Sequence, residues 1–272
     1  GPGASFGITT PASGVTWIGV PTFANDAGDQ LRALVDQIKA QASAMRAGRA
    51  IVIDVRGNGG GSSAWGAEIS RAIWGDDVIN ALPGDNRAGA VDWRASAANR
   101  DYIVAFTPDL AREFGADSDA VRWAHNAQQG ISAAIEHGDA FWRDRDAGDT
   151  RPIAASGGYT HERPTTGAPP IPARVYVLSN GTCVSACLDF ADIVLHIPGV
   201  KLVGADTEGD GLLMEVRDAT LPSGLVSVSL PMKVYRGRGR GSLEAYHADV
   251  TYNGEWTDAA VRAWVMGLIS AQ

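Results

Sequence analysis

Two short stretches carry residue types suited to acyl-transfer chemistry. In the first, the apolar run Val175 to Leu178 is broken by Ser179, Asn180 and Gly181, and a helix-like segment from about Ser185 to His196 follows before Pro198 and Gly199 stop it. That is strand, tight turn, helix. It puts the Ser185 hydroxyl beside unpaired backbone N–H groups and the positive end of a helix dipole. A developing oxyanion is stabilised at such a place, so Ser185 is a candidate nucleophile. The plain alternative is a serine that only caps the helix. In the second stretch, Ala50 to Ser63, apolar residues around Asp54 read as a buried strand, and Arg56 to Gly61 then turn through four glycines into a helix starting at Ser62 or Ser63. Glycines let amides point into a cavity with no Cβ in the way. A phosphate loop is the alternative, but no Lys follows the glycines as a Walker loop requires.

Together the stretches resemble the S41 peptidases, the family of carboxy-terminal processing and tricorn-like serine proteases. The family motifs read here as IDVRGNGGG at Ile53 to Gly61, VLSNGTCVSACLDF at Val177 to Phe190 and VGADTEG at Val203 to Gly209. The resemblance runs from about Trp17 to the C-terminus. It implies a serine hydrolase with an acyl-enzyme on Ser185 and an oxyanion hole from the Gly59 to Gly61 turn (Gly60 or Gly61) and Ala186. Peptides or small esters and amides are the implied substrates, and no cofactor or metal is implied. The implied fold is α/β, a ClpP/crotonase-like spiral core with a mainly helical insertion.

The general base departs from the family pattern. The processing-protease lysine is matched by Asp210, and the tricorn-like histidine of the first strand by Gly19. A serine without a base is a poor nucleophile at neutral pH. His161, in GYTHERP just before the central strand, has the right basicity in a flexible-looking loop. Asp210 serves if its pKa is raised or if it orients a histidine. Lys233, in the apolar run LPMKVY, serves if burial lowers its pKa. His125 and His137 read as surface histidines, His196 as a helix-end residue, and His247 as open. Without a base, the rival function is a catalytically silent peptide- or ligand-binding module on the same fold. A third is crotonase-type acyl chemistry on a CoA thioester.

The remaining chain must position these groups. Val15, Trp17, Ile18 and Val20 read as a strand, Leu31, Leu34, Val35, Ile38 and Met45 as one buried helical face, and Ile69 and Ile73 as part of another helix ending at Gly75. This βαβα rhythm argues for a parallel sheet. It fails between Asp76 and Pro172, where turn signals at Pro83 to Asn86 precede one periodic helix, roughly Asp117 to Arg143, whose apolar face runs from Ala124 to Trp142. Three segments follow: a first part of the core at 14–75, an inserted helical lid at 76–172 and a second part with the nucleophile at 173–272. Leu212 to Val216 and Leu225 to Tyr235 read as strands about a turn at Leu221 to Gly224, and Thr257 to Ser270 as a capped helix. Residues before Trp17 are too few for the PDZ domain that processing proteases usually carry, and Gly1 and Pro2 read as a cleavage remnant.

Composition bounds the rest. The 272 residues are 45% hydrophobic, enough for a sizeable core, and no apolar run is long enough to span a membrane. A net charge of −8 argues against a nucleic-acid partner, and the RGRGRG run at Arg236 to Gly241 reads as a solvated loop. Cys183 and Cys187 straddle Ser185 and read as buried small thiols, with a disulfide as the alternative in an oxidising compartment. Family habit and this pair point to the periplasm or secretion.

Overall fold

The computed structural model describes residues 3–82, 89–145 and 150–271. The turn expected at Pro83 to Asn86 and the remnant at Gly1 and Pro2 lie outside them. In chain order the elements are β1 (Gly7–Ala12), β2 (Val15–Gly19), α1 (Gly28–Ala47), β3 (Ala50–Asp54), α2 (Ser63–Trp74), α3 (Asp76–Ala81), β4 (Ala90–Arg94), α4 (Ala97–Phe114), α5 (Asp119–His137), β5 (Phe141–Asp144), β6 (Arg174–Ser179), α6 (Ala186–Val194), β7 (Val200–Gly204), β8 (Leu213–Thr220), β9 (Ser227–Arg236), β10 (Val250–Thr251) and α7 (Asp258–Ser270). The protein is a mixed α/β chain with two sheets. It divides into two compact units, one of Gly1–Gly84, Gly158–Asp210 and Leu243–Gln272, the other of Asp85–Gly157 and Gly211–Ser242.

The first unit is built on a six-stranded sheet of order β1-β2-β3-β6-β7-β10. All neighbours pair in parallel except β1, which lies antiparallel on the β2 edge. Side chains alternate between the two faces of a strand. Ala50 and Val52 accordingly join Val15, Trp17, Tyr176, Leu178 and Val203 in a cluster closed by Val261, Val265 and Ile269 of α7. Ile51 and Ile53 leave by the other face and are equally buried. On the helical side α1 packs on α2 and α2 on α6. The spacing of Leu31, Leu34, Val35, Ile38 and Met45 is the buried face of α1, as expected. Thr257 caps α7 by accepting from the Ala260 N–H at 3.3 Å.

The second unit has an antiparallel sheet of order β5-β4-β9-β8 and a core of Trp93, Ile103, Leu110, Val121, Ala124, Ala127, Ile131 and Met232. The β8–β9 hairpin, which the sequence groups with the nucleophile segment, pairs Tyr235 with Val91 and Lys233 with Trp93 and so belongs here. Helix α4 was not anticipated: it buries only Asn99, Ile103 and Leu110 and carries Pro108 inside, so it shows a weak apolar stripe. The helix expected to Arg143 stops at His137, because Gly138 turns left-handed at φ 77°. Trp142 therefore sits in β5, yet its indole lies so close over Gly130 of α5 that a Cβ there would stand 2.1 Å from Nε1. It shares the apolar face of α5 without being part of the helix.

The RGRGRG run is not a solvated loop. Arg240 is 1% exposed, and Gly237, Gly239 and Gly241 are buried. Arg236 joins Arg143 on the carboxylate of Asp92, at 2.9 Å and 2.7 Å. Arg238 stacks over Tyr235 and donates to the Arg240 carbonyl at 2.7 Å. Turning glycine backbone supplies carbonyl acceptors that let the guanidinium groups leave water.

Candidate active site

The glycine turn grows from the end of β3. Asp54 is buried and accepts from Trp17 Nε1 at 3.1 Å, Arg56 Nε at 2.8 Å and Arg56 Nη2 at 2.7 Å. Arg56 Nη1 also lies 3.1 Å from Asp258 of α7. Burial works against the Arg56 charge, but the Asp54 hydrogen bonds and the charges of Asp54 and Asp258 outweigh it and hold the guanidinium above its ordinary value. Buried Asn58 fixes the next residues, donating to the Val20 carbonyl at 3.0 Å and accepting from the Gly60 N–H at 2.9 Å.

The serine turn faces it. Gly57 N–H donates to both Asn180 Oδ1 at 3.1 Å and Thr182 Oγ1 at 2.8 Å, and Ser63 Oγ donates to Asp189 Oδ2 of α6 at 2.6 Å. Gly60, at φ 95°, presses against the partner turn: a Cβ on it would stand 2.8 Å from Ser185 Cβ and from the Val184 carbonyl, and 3.0 Å from Ala186 N. The two bends thus meet backbone to backbone. Glu208 N–H, in the segment leading to Asp210, clasps the serine turn through the Cys183 carbonyl at 3.1 Å.

Ser185 stands at the first residue before α6 with φ 56° and ψ −126°, and its side chain accepts no capping hydrogen bond. A non-glycine residue in such a region costs of order 1–3 kcal/mol and persists only where its surroundings impose it. The plain capping role expected of a serine here is therefore not the one it plays. The residue is half-buried. Among the described residues, Ser185 Oγ has no hydrogen-bond partner, and neither do the N–H groups of Ala186 and Gly61. Gly60 N–H, an expected oxyanion donor, is already committed to Asn58, so in this arrangement Gly60 supplies close approach and not a donor.

The expected bases are placed otherwise. His161 is exposed and lines a polar cavity of about 540 Å³ with Arg163, Lys201, His247 and Asp249, to which Ser185 does not contribute. Its loop is also not flexible-looking in its bonding. Glu244 accepts from Gly158 N at 2.9 Å and Thr160 Oγ1 at 2.6 Å, while Arg163 Nη2 reaches Asp249 at 2.9 Å. His196 stacks on Tyr159 with ring centroids 3.9 Å apart and faces the carbonyls of Asp192 and Tyr159. Asp210 is buried, and its carbonyl accepts from Leu243 N at 2.7 Å. Lys233, in the second unit, is not lowered: burial opposes its charge, but Tyr235 and Glu215, the latter at 3.2 Å, outweigh burial and raise it. At Gly19 a Cβ would stand 1.8 Å from the Ser5 carbonyl, so the place for a first-strand histidine is filled by the N-terminal segment.

One expectation is corrected in favour of its alternative, and one feature was not read from the sequence. Cys183 and Cys187 are joined in a disulfide, Cα–Cα 5.2 Å, and are not free thiols. Their spacing puts the first in the turn and the second on the first turn of α6, which is the signal that favoured a bridge. Asn58, Asn180 and Thr182 tie the turns together, and their polar types inside otherwise small-residue motifs were the visible trace. A cavity of about 500 Å³, lined by Val78, Leu82, Pro164, His196 and Pro198, lies at the end of α6 away from Ser185. No group of metal-ligating side chains occurs among the described residues.

A model of peptidase family S41 matches residues 14–252. No curated protein sequence matches the chain significantly. Among solved structures, mature CPAF is similar at 12% identity over 92% of this chain and 50% of its own, with a TM-score of 0.48. A lipoprotein from Streptococcus agalactiae aligns at 10% identity over 97% of this chain and 70% of its own, with a TM-score of 0.44. The photosystem II D1 C-terminal processing protease aligns at 16% identity over 88% and 42%, with a TM-score of 0.37. The chain spans about half the length of the first of these.

Proposed function

Because the chain belongs to peptidase family S41, we propose that it is a serine hydrolase cleaving peptides or small esters and amides through an acyl-enzyme on Ser185. The observation that carries this reading is the half-buried serine held at φ 56° against Gly60 with its hydroxyl unused by the helix it precedes. In the mechanism, Ser185 Oγ attacks the acyl carbon as its proton departs. The N–H groups of Ala186 and Gly61 receive the charge that develops on the acyl oxygen. The proton taken from Oγ passes to the amine or alcohol as its bond to the acyl carbon breaks, and water then attacks that carbon, returning a proton to Oγ and releasing the acyl group as a carboxylic acid. Asp210 belongs to the segment that clasps the serine turn through Glu208, and it and His161 are the proton acceptors to test, engaging once substrate is bound. The first unit is the catalytic core in this reading. The disulfide supports an oxidising location, periplasmic or secreted, and no helix among the described residues is long and apolar enough to cross a membrane.

A second reading, a silent peptide- or ligand-binding module, is favoured by one observation: the filled space over Gly19. A fluorophosphonate probe and an activated ester separate the two. Covalent labelling lost in Ser185→Ala supports the hydrolase; an unlabelled wild type with equal background rates in both proteins supports the binding module.

A further inference from the structure

The Cys183–Cys187 bridge closes a ring of five residues with Ser185 at its centre. Both sulfurs belong to buried residues, 1% and 0% exposed. A crosslink between near neighbours removes little chain entropy from the unfolded state compared with one closing a long loop. What it constrains is local, the dihedral angles of Val184, Ser185 and Ala186. Those are the angles that need constraint, since Ser185 has the positive φ that side chains avoid and no capping hydrogen bond to fix it. The other ties on the turn are backbone hydrogen bonds: Cys187 N to the Val184 carbonyl and Glu208 N to the Cys183 carbonyl, both 3.1 Å, and Leu188 N and Asp189 N to the Ser185 carbonyl at 2.8 Å and 3.2 Å, which hold the carbonyl side of Ser185 and leave its φ to the ring. Gly60 blocks displacement from one side only.

The geometry points to the disulfide as a positioning device for the nucleophile: it holds the Ser185 backbone in the strained turn that presents Oγ beside the Ala186 N–H, and its reduction lets that turn relax into an ordinary helix start. This inference rests on the acyl-enzyme reading of Ser185. Reduction by a dithiol balances simply. The bridge takes up two electrons and two protons to give two thiols, and the dithiol becomes its own disulfide. Inside a reducing compartment the folded chain would keep its serine idle.

The test compares oxidised wild type, wild type reduced with dithiothreitol, and Cys183→Ala/Cys187→Ala. Each is measured for fluorophosphonate labelling rate, for kcat and KM on an activated ester, and for its circular-dichroism spectrum. Release of strain of this size is expected to lower labelling and kcat by about 10- to 100-fold. KM is expected to stay within about twofold because no substrate contact is lost. Reoxidation of the reduced protein should restore the rate. A folded double variant, or a reduced protein with two free thiols by mass, that labels at the wild-type rate overturns the proposal, as does a loss confined to KM. If the double variant does not fold, the reduced and reoxidised wild type decide alone. If oxidised wild type itself fails to label, the hydrolase reading falls. The positioning claim is then settled by the crystal structure of the reduced protein: Ser185 leaving its positive φ supports it, and Ser185 keeping that conformation sinks it.

Discussion

The two bends that meet at Ser185 are both strand-to-helix turns at the ends of neighbouring parallel strands, β3 and β6, yet they are held by opposite means. The turn after β3 reaches its conformation through its glycines and is stiffened by the buried Asp54–Arg56 pair and by Asn58 within it. In the proposed mechanism the turn after β6 must keep a hydroxyl at its apex. It therefore holds a serine where glycine would sit without strain, and ties that serine with a covalent ring. One bend is shaped by omission and the other by constraint. In the proposed reading, a backbone that only approaches or donates can rely on glycine, and one that presents an attacking atom cannot.

The largest effect expected from breaking this contrast is on activity. Ser185→Ala keeps the turn but removes Oγ, and hydrolysis and labelling should fall at least about a thousandfold with the melting temperature nearly unchanged; residual labelling at the same site would remove Ser185 from the chemistry. Next comes the ion pair that stiffens the first bend. Arg56→Gln leaves the Asp54 carboxylate buried without its guanidinium, and chemical denaturation should show a loss of about 3–5 kcal/mol. Gly60→Ala attacks the meeting point, since its Cβ falls 2.8 Å from two atoms of the serine turn at φ 95°. A loss of about 1–3 kcal/mol is expected, along with a drop in labelling rate; an unchanged melting curve would mean the two turns are not pressed together. Ser185→Gly makes the second bend like the first. It should abolish labelling while raising stability by up to about 1 kcal/mol from relieved strain, and lower stability there would contradict the strain.

The smallest effect is in acid. Asp206, in the segment that clasps the serine turn, is held below its ordinary value by the Ala248 N–H and then by His247, whose Nδ1 is 2.7 Å from Oδ2. Its carboxylate is thus better stabilised folded than unfolded. The contribution is present above the unfolded carboxylate value of about 4 and is lost as pH falls through the lower folded value. The melting-temperature difference between wild type and Asp206→Asn should accordingly vanish as pH falls below about 4, and a difference that grows there would reverse the sign.

Much of this arrangement was legible in the sequence because local and global signals agree. Ser63 to Trp74 reads as a helix by pattern and is one, and the apolar runs before both turns are central strands buried on both faces. The parts that misread are those where tertiary contacts decide. Trp142 keeps helical phase with α5 by folding back over Gly130, so periodicity alone runs the helix too long. Strand β1 pairs along an edge with a mixed, half-exposed pattern and gives little period-two signal. Arg236 at the end of β9 and Arg238 beyond it look solvated because their acceptors, the Asp92 carboxylate and turn carbonyls, are distant or carry no side-chain mark. At the site, residue types located both turns, but whether Gly60 N–H is open or committed depends on the rotamer of Asn58, which no spacing encodes.

The ties of Glu244, His196 and Arg163 on the segment from Gly158 to Arg163 give that stretch a character its Gly- and Thr-rich composition hides. Six residues with only a single turn of 3-10 helix are moored at four points to Leu195 and His196 just past α6, to Val200 of β7 and to Glu244 in the segment before β10. A protease needs several consecutive residues to peel away together, and here Gly158, Tyr159, Thr160 and Arg163 are each held from outside the segment. Nicking should begin downstream, among the exposed residues from Thr165 to Pro170. The same address is where a tag or a foreign loop could be spliced in without loosening what Gly158 to Arg163 hold fast.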